Sequence, residues 1–197
     1  YLAHFCPKKI YGCLKPAVEL LAAIPSVIYG FFGLVVLVPF VREMLGGTGS
    51  SILTAAVLLG MMILPTIVRT TQESLKTVPD SYRDGSLALG SGKWRMIRTV
   101  VLPNAIDGII TGCILAIGRI IGESAALLFT AGFGLKLIGF IDSLRSSSAT
   151  LTVALYVYAS EQGKTDVAFA IALILMILAF IICILSSYVG KVIRGKK

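Results

Sequence analysis

The sequence predicts an all-α protein that crosses a lipid bilayer several times. Three observations carry that expectation: the chain is too apolar for water, its apolar residues gather into segments of membrane-spanning length, and its basic residues fall on one side of those segments. Of 197 residues, 56% are hydrophobic and 14% charged, with a mean hydropathy of +0.91. A soluble chain carries about a quarter of its residues as charges. The formal charge of +8 raises nucleic acid as a partner, but no basic stripe with aromatic or motif support accompanies it. That class is set aside.

Four segments are apolar over the ~20 residues a transmembrane helix requires: 17–40, 51–68, 104–130 and 166–188. Pro25 and Gly30 interrupt the first, and Asp107, Arg119 and Glu123 stand in the third. Irregular or charged stretches inside a bilayer face protein or a water-filled path. With the N-terminus in the cytoplasm and one crossing per segment, the inside stretches are 1–16, 69–103 and 189–197. They hold Lys8, Lys9 and Lys15, then Arg69, Lys76, Arg83, Lys93, Arg95 and Arg98, then Lys191, Arg194, Lys196 and Lys197, most of the 18 basic residues. The positive-inside rule therefore puts both termini in the cytoplasm. The opening "YLAHFCPKK" reads as the tail of a helix leaving the membrane. With neither a starting methionine nor a signal peptide, residues 1–197 read as a single transmembrane domain truncated at its N-terminus. Cys6, Cys13, Cys113 and Cys183 have no metal-ligand spacing, and the last two read as small packing residues.

Within 69–103, "TVPDSYRDGSLALGSGKWRMIRTVVLP" predicts a helix of about three turns outside the membrane. Pro79 suits its first turn, Asp80 and Asp84 complement the positive end of its dipole, and Gly90 suits the position just past its end. Beyond it, Trp94, Ile97 and Val101 share one face while Lys93, Arg95 and Arg98 keep to water, the pattern of a helix resting at the interface. Pro103 then restarts the chain into the third span. The apolar stretch "TLTVALYVYA" is too short to cross, and re-enters the membrane or covers its outer mouth; Tyr156 and Tyr158 read as interface markers.

The most unusual placement is in "LAIGRIIGESAALLFT", residues 115–130. An ionised arginine near the bilayer centre costs about 2.5–3.5 kcal/mol on insertion scales, so Arg119 needs a partner or an aqueous path. Glu123, one turn onward, offers an i,i+4 partner. The planar fork of Arg119 also matches two oxygens of an oxyanion. An anion path and a purely structural ion pair both stay open on these residues alone. Gly118 and Gly122 leave room for close approach by a helix or a ligand. Arg69, at the inner end of the second segment, is either a second path residue or a snorkelling anchor. The sequence has no P-loop, zinc site or nucleophile triad, so no enzymatic activity and no cofactor are expected on this chain.

"DGSLALGSGKWRMIRTVVLP" resembles the coupling loop of ABC importer permeases, whose pattern is Glu-Ala-Ala, three residues, Gly, nine residues, then Ile-x-Leu-Pro. Asp84, Gly85 and Ser86 occupy the first three positions, Gly90 the glycine, and Val100, Leu102 and Pro103 close the pattern. "IPSVIYGFFGLVVLVP", "LPTIVRTTQESLKTVPDSYRDGSLALG", "LAIGRIIGESAALLFTAG" and "LTVALYVYASE" together resemble the phosphate-specific ABC permeases over nearly the whole chain. Of the two chain types in that family, "GESAALLFTAG" and "LTVALYVYAS" are similar to PstA, the first choice, and "AIPSVIYGFFGLVVLVP" is closer to PstC, the second.

The resemblance implies a type I ABC importer permease fold, with about four transmembrane helices and a coupling helix at 79–90. It implies that Asp84 through Gly90, with Leu102 and Pro103, serve the coupling to an ATPase. It further implies that Arg119 and Glu123 line a phosphate path, with Arg69, in the box "RTT", on that path or at its inner mouth. The implied setting is the bacterial cytoplasmic membrane. The implied partners are a homologous permease chain, two ATPase subunits holding ATP and Mg, and an extracytoplasmic phosphate-binding protein. An ABC permease for another oxyanion or small solute, or an ATP-independent transporter or channel, is the alternative.

Overall fold

Helix α1, Lys8–Ala23, ends where the chain meets Pro25. A residue before proline is pushed out of the helical region, and Pro25 itself is extended, with φ −58° and ψ 143°. Its carbonyl opens the next helix by accepting the amides of Ile28 at 3.0 Å and Tyr29 at 3.3 Å. The first apolar crossing is therefore α2, Ser26–Leu45, rather than 17–40. The computed structural model describes residues 7–134 and 146–195; the expected helix tail at 1–6 lies outside them.

The second crossing, α3, spans Ile52–Lys76. It continues past Val68, so Arg69 stands within a helix and the following connection is shorter than 69–103. Helix α4, Asp80–Ala88, occupies that connection. The third crossing, α5, is one 30-residue helix, Lys93–Gly122, which merges the expected interfacial helix with the expected start of the third span.

Pro103 does not restart α5, because the turn before it, Ile97–Val101, opens into a π-helix. A proline offers no N–H and its ring crowds the carbonyl four residues back. In the wider turn the Leu102 amide reaches the Ile97 carbonyl, and the Asn104 side-chain amide donates to the Val100 carbonyl at 2.8 Å. The same device precedes Pro39 in α2, where Gly33–Leu37 is π-helical. The extra residue in the π turn also rotates the buried face of α5. Met96 and Val101 are buried, whereas Trp94 is 74% exposed, so Trp94 does not share the face expected for it.

The third apolar segment divides at Glu123. Helix α6, Ala125–Thr130, is separate from α5. Helix α7, Leu151–Tyr156, runs on into a π-helical turn, Val157–Glu161. Helix α8, Thr165–Gly195, contains the fourth crossing, Thr165–Val192.

The chain packs as two compact units. One takes its described residues from 7–22, 64–117 and 185–195. Its core joins Val78, Met96, Val101 and Ala105, with Leu75, Ile97 and Ile109 packed against them. Here α5 comes so close to α3 that a Cβ on Gly108 or Gly112 would strike Ser74 or Thr70. Those hydroxyls bond back along α3, Ser74 to the Thr70 carbonyl at 2.7 Å and Thr70 to the Thr66 carbonyl at 2.9 Å, which leaves a small-residue crossing face.

The other unit comprises 23–63 and 118–184, and α6 is at the heart of its core. Leu127 and Ala131 pack with Ala55, Val153 and Val157, and Ala126 packs with Tyr29, Leu58 and Met62. A Cβ on Gly30 would lie 2.9 Å from the Ala126 Cα, so α2 and α6 meet backbone to backbone.

Candidate functional site

Arg119 occupies the last turn of α5. The helix stops there because Glu123 has other commitments. Its carboxylate accepts the Ala126 amide at 3.2 Å, serving an otherwise orphaned donor at the start of α6. Its carbonyl accepts the Thr152 hydroxyl of α7 at 2.9 Å. These bonds draw Glu123 away from the i,i+4 contact with Arg119 that an unbroken helix would offer. Among the described residues the Arg119 side chain makes no hydrogen bond or ion pair. It is exposed on this chain and within electrostatic reach of Tyr29. A guanidinium so placed has its full fork of donors open to an anion. A Cβ on Gly118 or Gly122 would meet nothing among the described residues within 4 Å, whereas one on Gly30, Gly33, Gly108 or Gly112 would strike a neighbouring helix.

Arg69 belongs to the other unit, and it is paired. Its Nε donates to Glu73 Oε1 at 3.0 Å, with side-chain exposures of 70% and 63%. Sequence reasoning passed over Glu73, although the i,i+4 spacing signals such a pair. Both residues line a cleft of 310 Å³ between α1 and α3. One wall is a helical stripe of α1 through Tyr11, Val18 and Ala22, and the other a stripe of α3 through Pro65, Arg69 and Lys76. The Tyr11 hydroxyl accepts from Gln72 Nε2 at 3.1 Å and from Lys76 Nζ at 3.4 Å. The Lys76 bond, seconded by Gln72, draws the Tyr11 phenol below the ordinary tyrosine range. Lys15 lies 3.8 Å from Glu19 in the same cleft, so its cations are largely matched by carboxylates.

At α4, Pro79 stands at the N-cap rather than in the first turn, its carbonyl accepting the Tyr82 amide at 3.2 Å. The other end closes as a Schellman motif. Gly90 sits at φ +79°, its amide reaches the Leu87 carbonyl at 2.9 Å, and the Ser91 amide reaches the Ser86 carbonyl at 3.2 Å. Glycine takes that backbone conformation without steric penalty. Asp84 and Gly85 are exposed and Ser86 is half-buried. Leu89 is 89% exposed beside a groove of 630 Å³ whose lining includes Tyr82, Gly85, Arg95 and Val100. Leu102 and Pro103 lie within α5 just after its π turn, so the sequence pattern beginning at Asp84 ends on a different helix.

A chain with this helix pattern, with four candidate crossings among the described residues, is matched from residue 1 to residue 193 by the family of binding-protein-dependent transport system inner membrane components. The chain belongs to this family. Among relatives of this permease chain, the probable ABC transporter permease protein YqgH of Bacillus subtilis is 36% identical over 198 residues, 97% of the chain and 62% of the relative. The phosphate transport system permease protein PstC of Mesorhizobium japonicum is 32% identical over 211 residues, 95% of the chain and 64% of the relative. PstA of Yersinia pestis is 40% identical over 113 residues, 57% of the chain and 36% of the relative. The chain thus spans less than two-thirds of the length of these relatives. The inward-facing MetNI methionine ABC transporter shares the fold, with a TM-score of 0.74 at 22% identity over 94% of this chain and 76% of that one. The chain is therefore an all-α, multi-pass membrane protein of the ABC permease class.

Proposed function

We propose that this chain is a permease subunit of an ATP-driven importer of inorganic phosphate in the bacterial cytoplasmic membrane. The observation that carries the reading is Arg119, a guanidinium on a membrane-crossing helix that the described residues leave without an ion pair. The names of the PstC and PstA relatives support phosphate as the anion. In this reading Arg119 binds two phosphate oxygens. Glu123, one turn away and held by the Ala126 amide, disfavours the more highly charged form of the anion or takes its proton. Arg69 serves the inner part of the route, where Glu73 neutralises it until an anion competes.

Helix α4 is the coupling helix, with Asp84, Gly85, Ser86 and Gly90 facing an ATPase and Leu102 and Pro103 closing the motif on α5. ATP and Mg belong to two ATPase subunits. A homologous permease completes the path, an extracytoplasmic binding protein delivers phosphate, and both termini of this chain face the cytoplasm.

The test is ATP hydrolysis by the reconstituted complex, with wild-type chain and with Arg119→Gln, as phosphate is raised against a sulfate control. Phosphate-stimulated hydrolysis in wild type that is lost in the variant is the expected result. Equal stimulation in both removes Arg119 from the path. Stimulation by sulfate in place of phosphate assigns another oxyanion, and transport by the chain without any ATPase assigns an ATP-independent carrier.

A further inference from the structure

The Arg83 guanidinium joins α4 to the end of α3. It lies on α4, only 12% exposed, and its Nη1 donates to Asp80 Oδ1 at 2.7 Å. Its Nη2 donates to the Leu75 carbonyl at 2.9 Å and to the Val78 carbonyl at 3.4 Å. Leu75 is in the last turn of α3 and Val78 just beyond it, where backbone carbonyls lack helical partners and the dipole favours a cation. Val78 is itself buried against Met96, Val101 and Ala105 of α5. The link therefore ties α4 to the C-terminal end of α3 and, through Val78, to the π-helical start of α5. Surface ion pairs yield easily, but a nearly buried guanidinium bonded to backbone at two points does not, because separating them strands polar groups away from water.

We propose that Arg83 is the positioning residue through which movement of α4 is passed to α3, the helix that carries Arg69. This rests on the reading of α4 as a coupling helix. Arg83 does not face the ATPase; its fork holds the lever to the helix it must move. Without it, α4 still docks but shifts independently of the end of α3.

The experiment measures phosphate uptake and ATP hydrolysis together in proteoliposomes of the full importer, for wild type, Arg83→Met, Arg83→Lys and Gly85→Trp. A Cβ on Gly85 meets nothing among the described residues within 4 Å, so tryptophan there is expected to expel the ATPase while this chain still folds. In Arg83→Met the ATPase is expected to stay bound, while phosphate moved per ATP hydrolysed falls at least about tenfold, since all three charge-assisted hydrogen bonds are lost and one alone is worth about that factor. Arg83→Lys keeps the charge but not the fork and is expected to lower the same ratio less. It is also the deciding variant if Arg83→Met does not assemble. A wild-type ratio in Arg83→Lys and in any assembled Arg83→Met, alongside ATPase loss in Gly85→Trp, overturns the role of Arg83 and leaves the coupling helix standing. Full ATPase retention in Gly85→Trp overturns the coupling-helix reading itself.

Discussion

At Tyr11 one ammonium group alters the chemistry of a phenol. Lys76 and Gln72 both donate to its oxygen, which favours the phenolate and lowers the pKa. A depressed acid stabilises the fold above its unfolded pKa, about 10 for tyrosine, and that contribution is lost as pH falls through the lowered folded value. The contact therefore adds little through ionisation at neutral pH. Ultraviolet titration of Lys76→Met against wild type is expected to move one phenol back toward the ordinary range; superimposable curves would count against the contact. Arg119 shows the opposite limit of local reading. Its four-residue spacing to Glu123 is plain in the sequence, but the spacing yields a pair only on a continuous helix. The Ala126 amide and the Thr152 hydroxyl decide otherwise, and neither bond follows from local periodicity.

Between elements, the close contacts are set by glycines that periodicity does not single out. Gly30 faces the Ala126 Cα and the Phe129 ring at 2.9 and 2.8 Å from an added Cβ, and backbone cannot move aside as a flexible side chain can. Gly30→Ala is expected to cost about 1–3 kcal/mol through overpacking, read as earlier thermal unfolding in detergent. A Cβ on Gly60, also helical, would meet nothing among the described residues within 4 Å. Gly60→Ala is therefore expected to be neutral or to gain up to about 1 kcal/mol from helix propensity. If both variants melt alike, the α2–α6 contact is not as close as described. The end of α4 was legible beforehand, because a Schellman close depends on local backbone and Gly90 supplies it. The joining of the expected interfacial helix to the third span was not legible, because Pro103 signals a break unless the turn before it widens.

For the whole molecule, the large apolar side chains of α8 are the clearest sign of its surroundings. Only 6% of its crossing window is buried within this chain, and Phe169, Met176 and Phe180 are exposed. Water would penalise that surface, so lipid or another apolar chain must cover it. The proposed orientation makes a direct prediction in a variant with Cys6, Cys13, Cys113 and Cys183 replaced by serine. A cysteine at Leu89 is expected to react with a membrane-impermeant maleimide only from the cytoplasmic side, and one at Thr48 only from the opposite side. Exchange of the two patterns would invert the topology.

Composition and segment length were sufficient by themselves for a multi-pass, all-α membrane protein, because solvent preference and local helix signals are written along the chain; the permease reading came from the resemblance of Asp84–Pro103 to a family motif. Pro25 marked a local break that the structure turned into the boundary between α1 and the first crossing. The tertiary structure alone decided that Glu123 caps α6 instead of pairing with Arg119 and that Arg83 joins α4 to α3. In both, a side chain chooses among partners, and the surrounding packing must hold the geometry. Sequence spacing names the candidates, but the competition among them is settled only when the helices pack.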